Sequence, residues 1–220
     1  MKICVSPRLR ASDAVRLPEC DVALLGFDFL GDVDYESELS GKTDKFGELS
    51  RLTRNSRCAA VCGCRTDSRG LKRKSAAVAD CGKLLGISDM LHVVEGDGYK
   101  SGAFLGVYKL GGYKVGVCID SDLYFPENIK SLSLCGCNLL LCLMENLRDN
   151  MPPLLARAYA YLYGMPVAMS GGNCAYFADI TGEIASSSAP QTFFVAEPRN
   201  NYRIVCTRER GLCAADKGDY

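Results

Sequence analysis

The sequence predicts a single α/β domain, on two observations. Short β-rich runs alternate with helical ones along most of the chain. The 220 residues are 48% hydrophobic with a mean hydropathy near zero, enough for one substantial core and too few for two large domains. One domain over residues 1–213 is expected, followed by a loose tail over 214–220.

Strand-like runs occur at Lys2–Val5, Val22–Gly26, Ala59–Cys64, Ala76–Ala79, Lys114–Ile119, Asn138–Leu143, Pro166–Met169, Ala175–Asp179 and Phe193–Glu197. Helical runs are expected at Lys42–Arg54, Pro126–Cys135 and Pro152–Tyr163, with a shorter one within Arg8–Pro18. Pro126 suits a first helical turn, where a missing N–H does no harm, and Glu127 beside it suits the positive end of the helix dipole. Asp120–Phe125 is then a strand-to-helix turn, in which Ser121 can cap the helix. Asp80-Cys81-Gly82-Lys83 and Ile180-Thr181-Gly182-Glu183 have the composition of hairpin turns.

Charge excludes one class of function. Lys plus Arg and Asp plus Glu both number 26, so the chain lacks the electrostatic footprint of a nucleic-acid binder. The most basic stretch, Arg65, Arg69, Lys72, Arg73 and Lys74, is expected to be a solvated loop between two strands. No apolar run is long enough for a membrane span, and Met1–Val5 runs into Ser6-Pro7 without an apolar leader. A cytoplasmic protein is expected. The thirteen cysteines lie largely in apolar strand contexts (Cys4, Cys58, Cys62, Cys118, Cys142, Cys206), where a reduced thiol behaves as a small hydrophobe. Cys58-x3-Cys62-Gly63-Cys64 and Cys135-Gly136-Cys137 lack the paired spacing and histidines of a zinc site, so no metal is expected. No Walker-type or GxGxxG pattern supports a nucleotide cofactor.

The most specific segment is Lys114-Val115-Gly116-Val117-Cys118-Ile119-Asp120-Ser121-Asp122-Leu123-Tyr124-Phe125-Pro126-Glu127. It resembles the nucleophile elbow of the nitrilase, or carbon-nitrogen hydrolase, superfamily, whose strand ends in a pattern like Gly-x-x-Ile-Cys-x-Asp-x-x-Phe-Pro-Glu. Further blocks follow the family's order. Asp21–Asp28 resembles the strand that carries its catalytic Glu, Gly86–Val93 the hairpin that carries its Lys, Leu155–Tyr159 its Arg-Ala helix, and Asp179–Ile184 its Pro-x-Gly-Glu hairpin. The resemblance implies a four-layer α-β-β-α sandwich, shortened at both ends and dimerising through the helices near the elbow.

Carried over position by position, the family's Glu, Lys and Cys fall on Asp28, Met90 and Asp120. Asp28 is one methylene short, Met90 carries no charge, and Asp120 puts a carboxylate where a thiolate would attack. In the family the Glu is the general base, the Lys stabilises the tetrahedral intermediate and the Cys forms a thioester. The substitutions imply a catalytically degenerate protein, a pseudoenzyme whose remnant pocket binds a small amide-, amine- or acid-bearing ligand. Glu95, Ser121, Tyr124, Asn146 and the Ser170–Asn173 loop take positions that line the pocket in relatives. Two acids near a neutral thioether call for a shared proton or a cation, which a hairpin of altered length would supply from Lys83 or Lys100.

Two alternatives stay open. One is an active amide or nitrile hydrolase with reorganised residues, using Asp120 or Cys118, which strand periodicity places on the same side. The other is a structural or regulatory subunit of an active paralogue. His92, the one histidine of the chain, is expected to be structural.

Overall fold

The computed structural model describes residues 1–147 and 149–197, and the backbone of two further short strands, Asn201–Arg203 and Thr207–Glu209. The expected tail over 214–220 lies outside the described residues. In chain order the strands are β1 (Lys2–Ser6), β2 (Val22–Leu25), β3 (Asp32–Asp34), β4 (Ala59–Ser68), β5 (Leu71–Asp80), β6 (Lys83–Asp89), β7 (Gly106–Leu110), β8 (Tyr113–Ile119), β9 (Leu139–Met144), β10 (Val167–Gly171), β11 (Cys174–Ala178), β12 (Ile184–Ser187) and β13 (Thr192–Val195). The helices are α1 (Tyr35–Leu39), α2 (Lys45–Ser56), α3 (Pro126–Leu134) and α4 (Met151–Tyr163). None is long and apolar enough to cross a membrane.

The strands form two sheets. One has the order β13-β1-β2-β4-β5-β6 with β3 beside β4, and the other has the order β12-β11-β10-β9-β8-β7. The centre of each is parallel: β1, β2 and β4 in the first, β8, β9 and β10 in the second. Hairpins extend the parallel centres outward, because antiparallel neighbours need only a tight turn. At Asp80–Lys83 that turn uses positive φ at both Cys81 and Gly82, the two-residue geometry that matches strand twist.

Alternation along the strands assigns every layer. In β9, Leu139, Leu141 and Leu143 join Ile3, Val22, Leu24, Val61 and Val78 in the core between the sheets. Their neighbours Leu140, Cys142 and Met144 face the other way, onto Ile129, Leu132, Ala156 and Tyr159 of α3 and α4. On the far side Ala23, Ala60, Cys62 and Ala77 pack against Leu49 of α2. The result is a four-layer α-β-β-α sandwich, and both central sheets are hydrophobic on both faces, as parallel strands covered by helices require.

Two expectations are corrected. Arg8–Pro18 holds a single 3₁₀ turn at Ala11–Asp13, not a helix; the Ala11 amide donates to the Phe29 carbonyl, so the segment is tied to the turn that follows β2. The basic stretch is no solvated loop either. β4 runs on to Ser68 and β5 begins at Leu71 around an Arg69-Gly70 turn of positive φ, so only the tip of this charged run is in solvent. Arg65 and Lys74 face each other in register.

Leu141 is fully buried between the sheets. Leu141→Ala is expected to lower unfolding free energy by about 3 kcal/mol in urea denaturation; a loss below about 1 kcal/mol would show that the two inner faces are loosely packed.

Candidate active site

The parallel strands of both sheets end at the same rim of the sandwich, where α/β proteins gather their functional groups. The inward alternation of each strand, continued past its end, delivers a polar side chain into the cleft. Val61 and Gly63 lead to Arg65, and Val78 and Ala76 lead back to Lys74. Leu141 and Leu143 lead to Glu145, and Ala168 leads to Ser170.

Asp120 arrives by a different route. Val117 and Ile119 face the inter-sheet core, while Cys118 faces the helices, so a continued strand would turn residue 120 outward. Instead Asp120 adopts φ +47°, a conformation that costs an L side chain of this kind on the order of 1 kcal/mol. It opens the Asp120–Tyr124 3₁₀ turn and swings the carboxylate into the cleft. This left-handed turn corrects the expectation that Cys118 and Asp120 share a side.

A chain of alternating charges fills the rim. Lys74 Nζ donates to Asp120 Oδ2 and, at 2.9 Å, to Glu145 Oε2. Glu145 Oε1 lies 2.7 Å from Arg65 Nη1, whose guanidinium also reaches Asp32 at 2.7 Å and Asp28 at 3.2 Å. Glu145 thus gives one oxygen to each cation. The Lys74 side chain is only 9% exposed and that of Asp120 18%, so this end of the chain is shielded from water. The Asp28 side chain is 68% exposed and sits at the wet end. Tyr99 covers Lys74, its ring centroid 5.3 Å from Nζ.

Burial by itself pushes the Lys74 ammonium down. The hydrogen bonds and charges of Asp120 and Glu145 together outweigh it and hold the group above the ordinary lysine range. Arg65 is likewise pushed down by burial and raised further by Asp32, Asp28 and Glu145.

The expected site residues separate into distinct groups. Among the described residues no hydrogen bond or ion pair joins Asp28 directly to Asp120; Arg65, Glu145 and Lys74 stand between them. Met90 is fully buried in the inter-sheet core, its amide donating to the Lys74 carbonyl. The cation expected near Met90 therefore comes from the adjacent strand, and not from Lys83 or Lys100, both exposed. Ser121 donates to the His92 carbonyl and approaches the Met90 sulfur at 3.1 Å; it does not cap α3, whose N-cap position, Phe125, makes no side-chain cap hydrogen bond. Cys118 is buried, and its hydrogen bond with Cys142, together with that burial, pushes its thiol well above the ordinary range. An inert thiol is the consequence.

A cavity of about 430 Å³ opens over the elbow, lined among others by Lys74, Asp97, Asp120, Tyr124, Phe125 and Asn146. Ser121 lines it too. Glu95 does not: it is exposed on the preceding loop, and the acid that reaches the cavity there is Asp97. Asp122 holds this rim together. Its carboxylate accepts from the Leu91 amide at 3.0 Å and the His92 amide at 2.7 Å, with His92 Nδ1 at 3.2 Å. The His92 ring stacks on Phe125 with centroids 3.7 Å apart and meets Asn128 at 2.9 Å, a structural placement.

Arg65, Lys74 and Glu145 are the site residues that motif matching missed. Alternation carried a few residues beyond the clear apolar runs would have found them.

No protein-family model matches the sequence, and no curated protein does. Solved structures do. An amidase from Nesterenkonia sp. AN1, in a mutant form showing Michael addition of acrylamide at the active site cysteine, superposes with TM-score 0.68 at 16% identity, over 84% of this chain and 87% of that one. A mutant of the Nesterenkonia AN1 amidase from the nitrilase superfamily gives TM-score 0.69 at 15% identity over 88% of each chain. A third form of the amidase, in complex with butyramide, gives 0.68 at 15% identity, over 84% of this chain and 85% of that one. This chain has the fold of the nitrilase-superfamily amidases.

Two outcomes follow for stability. Because the folded Lys74 pKa lies above its unfolded value of about 10.4, its contribution is fully present below that pH and is lost as pH rises through the folded value. Wild-type stability, followed by denaturation across the alkaline range, should fall more steeply than that of Lys74→Met; parallel profiles would contradict the pairing. Asp122→Ala leaves the Leu91 and His92 amides without their acceptor and should cost about 2–4 kcal/mol, with an unchanged melting temperature as the contrary result.

Proposed function

We propose that this protein is a catalytically degenerate member of the nitrilase superfamily, a cytoplasmic pseudoenzyme whose elbow cavity binds a small amide-, amine- or acid-bearing ligand. The observation that carries it is the pairing of Lys74 with Asp120. At the elbow, where the family's nucleophile would attack, stands a carboxylate with an ammonium on it. A carboxylate held this way is a weak nucleophile toward an amide, and attack would give an anhydride. The thiol two residues before it, Cys118, is buried with its pKa raised, and Ser121 spends its hydroxyl proton on the His92 carbonyl.

Lys74 lies between Glu145 and Asp120, so a glutamate, a lysine and the elbow residue form one hydrogen-bonded chain, which supports a pocket built for polar recognition. A homodimer belongs to the same reading. Met151, Leu154, Tyr161 and Leu162 of α4, with Leu134 of α3, are each more than a third exposed, an apolar set on the helices nearest the elbow. Free cysteines throughout the described residues accord with a reducing compartment.

The reading predicts no ammonia release above buffer from small aliphatic amides by the wild-type protein. Turnover that disappears in Asp120→Ala would overturn it. Asp120→Cys should gain a reactive elbow thiol, alkylated by acrylamide at position 120 faster than at the exposed Cys81 and Cys135, as mapped by peptide mass spectrometry; slower labelling there would show that Lys74 and Glu145 do not activate the position. Leu154→Lys combined with Leu162→Lys should convert a dimer to monomer in light scattering, and an unchanged mass would place any contact elsewhere.

A further inference from the structure

A second, smaller cavity of about 220 Å³ shares Met144 and Asn146 of its lining with the first. Gly26, Asp28, Glu145, Asn146, Ser170 and Gly172 line it. Its polar groups are not explained by the charge chain alone. Ser170 is 1% exposed, and its Oγ has no hydrogen-bond partner among the described residues. Strand alternation puts it on the inward face with Ala168. A hydroxyl buried without a partner is a cost that folded proteins avoid, and where one persists beside a cavity it points to a missing partner.

The lining selects the chemistry of that partner. Asp28 and Glu145 present carboxylates, each with Arg65 on one oxygen, Ser170 a hydroxyl and Asn146 an amide, while no Lys or Arg is among the described lining residues. Asp28 gives Arg65 a single oxygen, Oδ1, at 3.2 Å, the longest contact of the charge chain. An anionic group would meet two carboxylates. A neutral amide offers two N–H donors and no charge. A primary ammonium offers three donors and a positive charge, and a charged donor forms the stronger hydrogen bonds.

We propose that this chamber is a binding site for the primary ammonium group of a small ligand. The Ser170 hydroxyl and the Asp28 and Glu145 carboxylates receive the ammonium, and the ligand's body passes Asn146 toward Tyr124 and Phe125 in the larger cavity. This assignment rests on the binding role proposed above and narrows its ligand to amines.

The test uses the three-carbon probes propylamine, propionamide and propionate with the full chain at neutral pH and millimolar concentration, read by ligand-observed NMR and calorimetry. Propylamine should bind, propionamide more weakly, and propionate not at all. Ser170→Ala should lower propylamine affinity about tenfold, as expected for loss of a hydrogen bond to a charged group, and at the same time raise the melting temperature of the ligand-free protein by removing the orphaned hydroxyl. Asp28→Asn should weaken propylamine while leaving propionamide unchanged. Propionate binding as well as propylamine, or Ser170→Ala binding propylamine like the wild type, would overturn the assignment. Absence of binding by all three probes would overturn it as well, while the lack of amide turnover would stand as a separate result.

Discussion

The contact on which the rim of this molecule depends is the one Lys74 makes across the cleft to Asp120 and Glu145. Three strand ends from two sheets meet there, and each brings a charge into a place largely closed to water. Charges in such places persist only when paired, because an unpaired one costs several kcal/mol. Lys74 comes from the first sheet and its two acceptors from the second, so the pairing ties the two sheets at the rim as the leucines and valines tie them in the middle. Arg65 repeats the tie one step nearer to solvent, sharing Glu145 with Lys74.

The elbow itself is shaped by backbone more than by these charges. Positive φ at Asp120 turns the chain out of β8, and Asp122, two residues on, fastens the turn to the Leu91 and His92 amides. His92 stacks on Phe125, so the Phe-Pro-Glu end of the motif and the hairpin before it hold each other. The turn that carries Asp120 is therefore held from both sides. On the reading proposed above, the ion pairs and hydrogen bonds at this rim serve recognition.

The α/β class was legible from residues, while the four layers came with the resemblance. The continuous apolar run in Asn138–Leu143 and the Pro126 helix start were clear signals, and the elbow motif placed Asp120 and Asp122 at a turn. The site was legible only in part. Met90 stands at the motif position of the lysine, yet the cation comes from Lys74, which is its neighbour across the ladder and lies sixteen residues earlier in sequence. Motif matching fixes positions along the chain, whereas a charge can reach the same space from an adjacent strand. The density of basic residues around Arg65–Lys74 suggested solvent, and the inward phase set by Val61, Ala76 and Val78 was the stronger signal. Ser170 carried no sequence signal beyond its phase with Ala168, because an orphaned hydroxyl is visible only once the surrounding atoms are placed.

The measurement that bears most directly on the central claim is a double-mutant cycle between Lys74→Met and Asp120→Asn, read by urea denaturation at neutral pH. If the elbow carboxylate is the partner of Lys74, the two substitutions will be non-additive, with a coupling free energy of about 1–3 kcal/mol. Additivity within about 0.5 kcal/mol would mean that Asp120 is not committed to the lysine, and the elbow would again be free for chemistry.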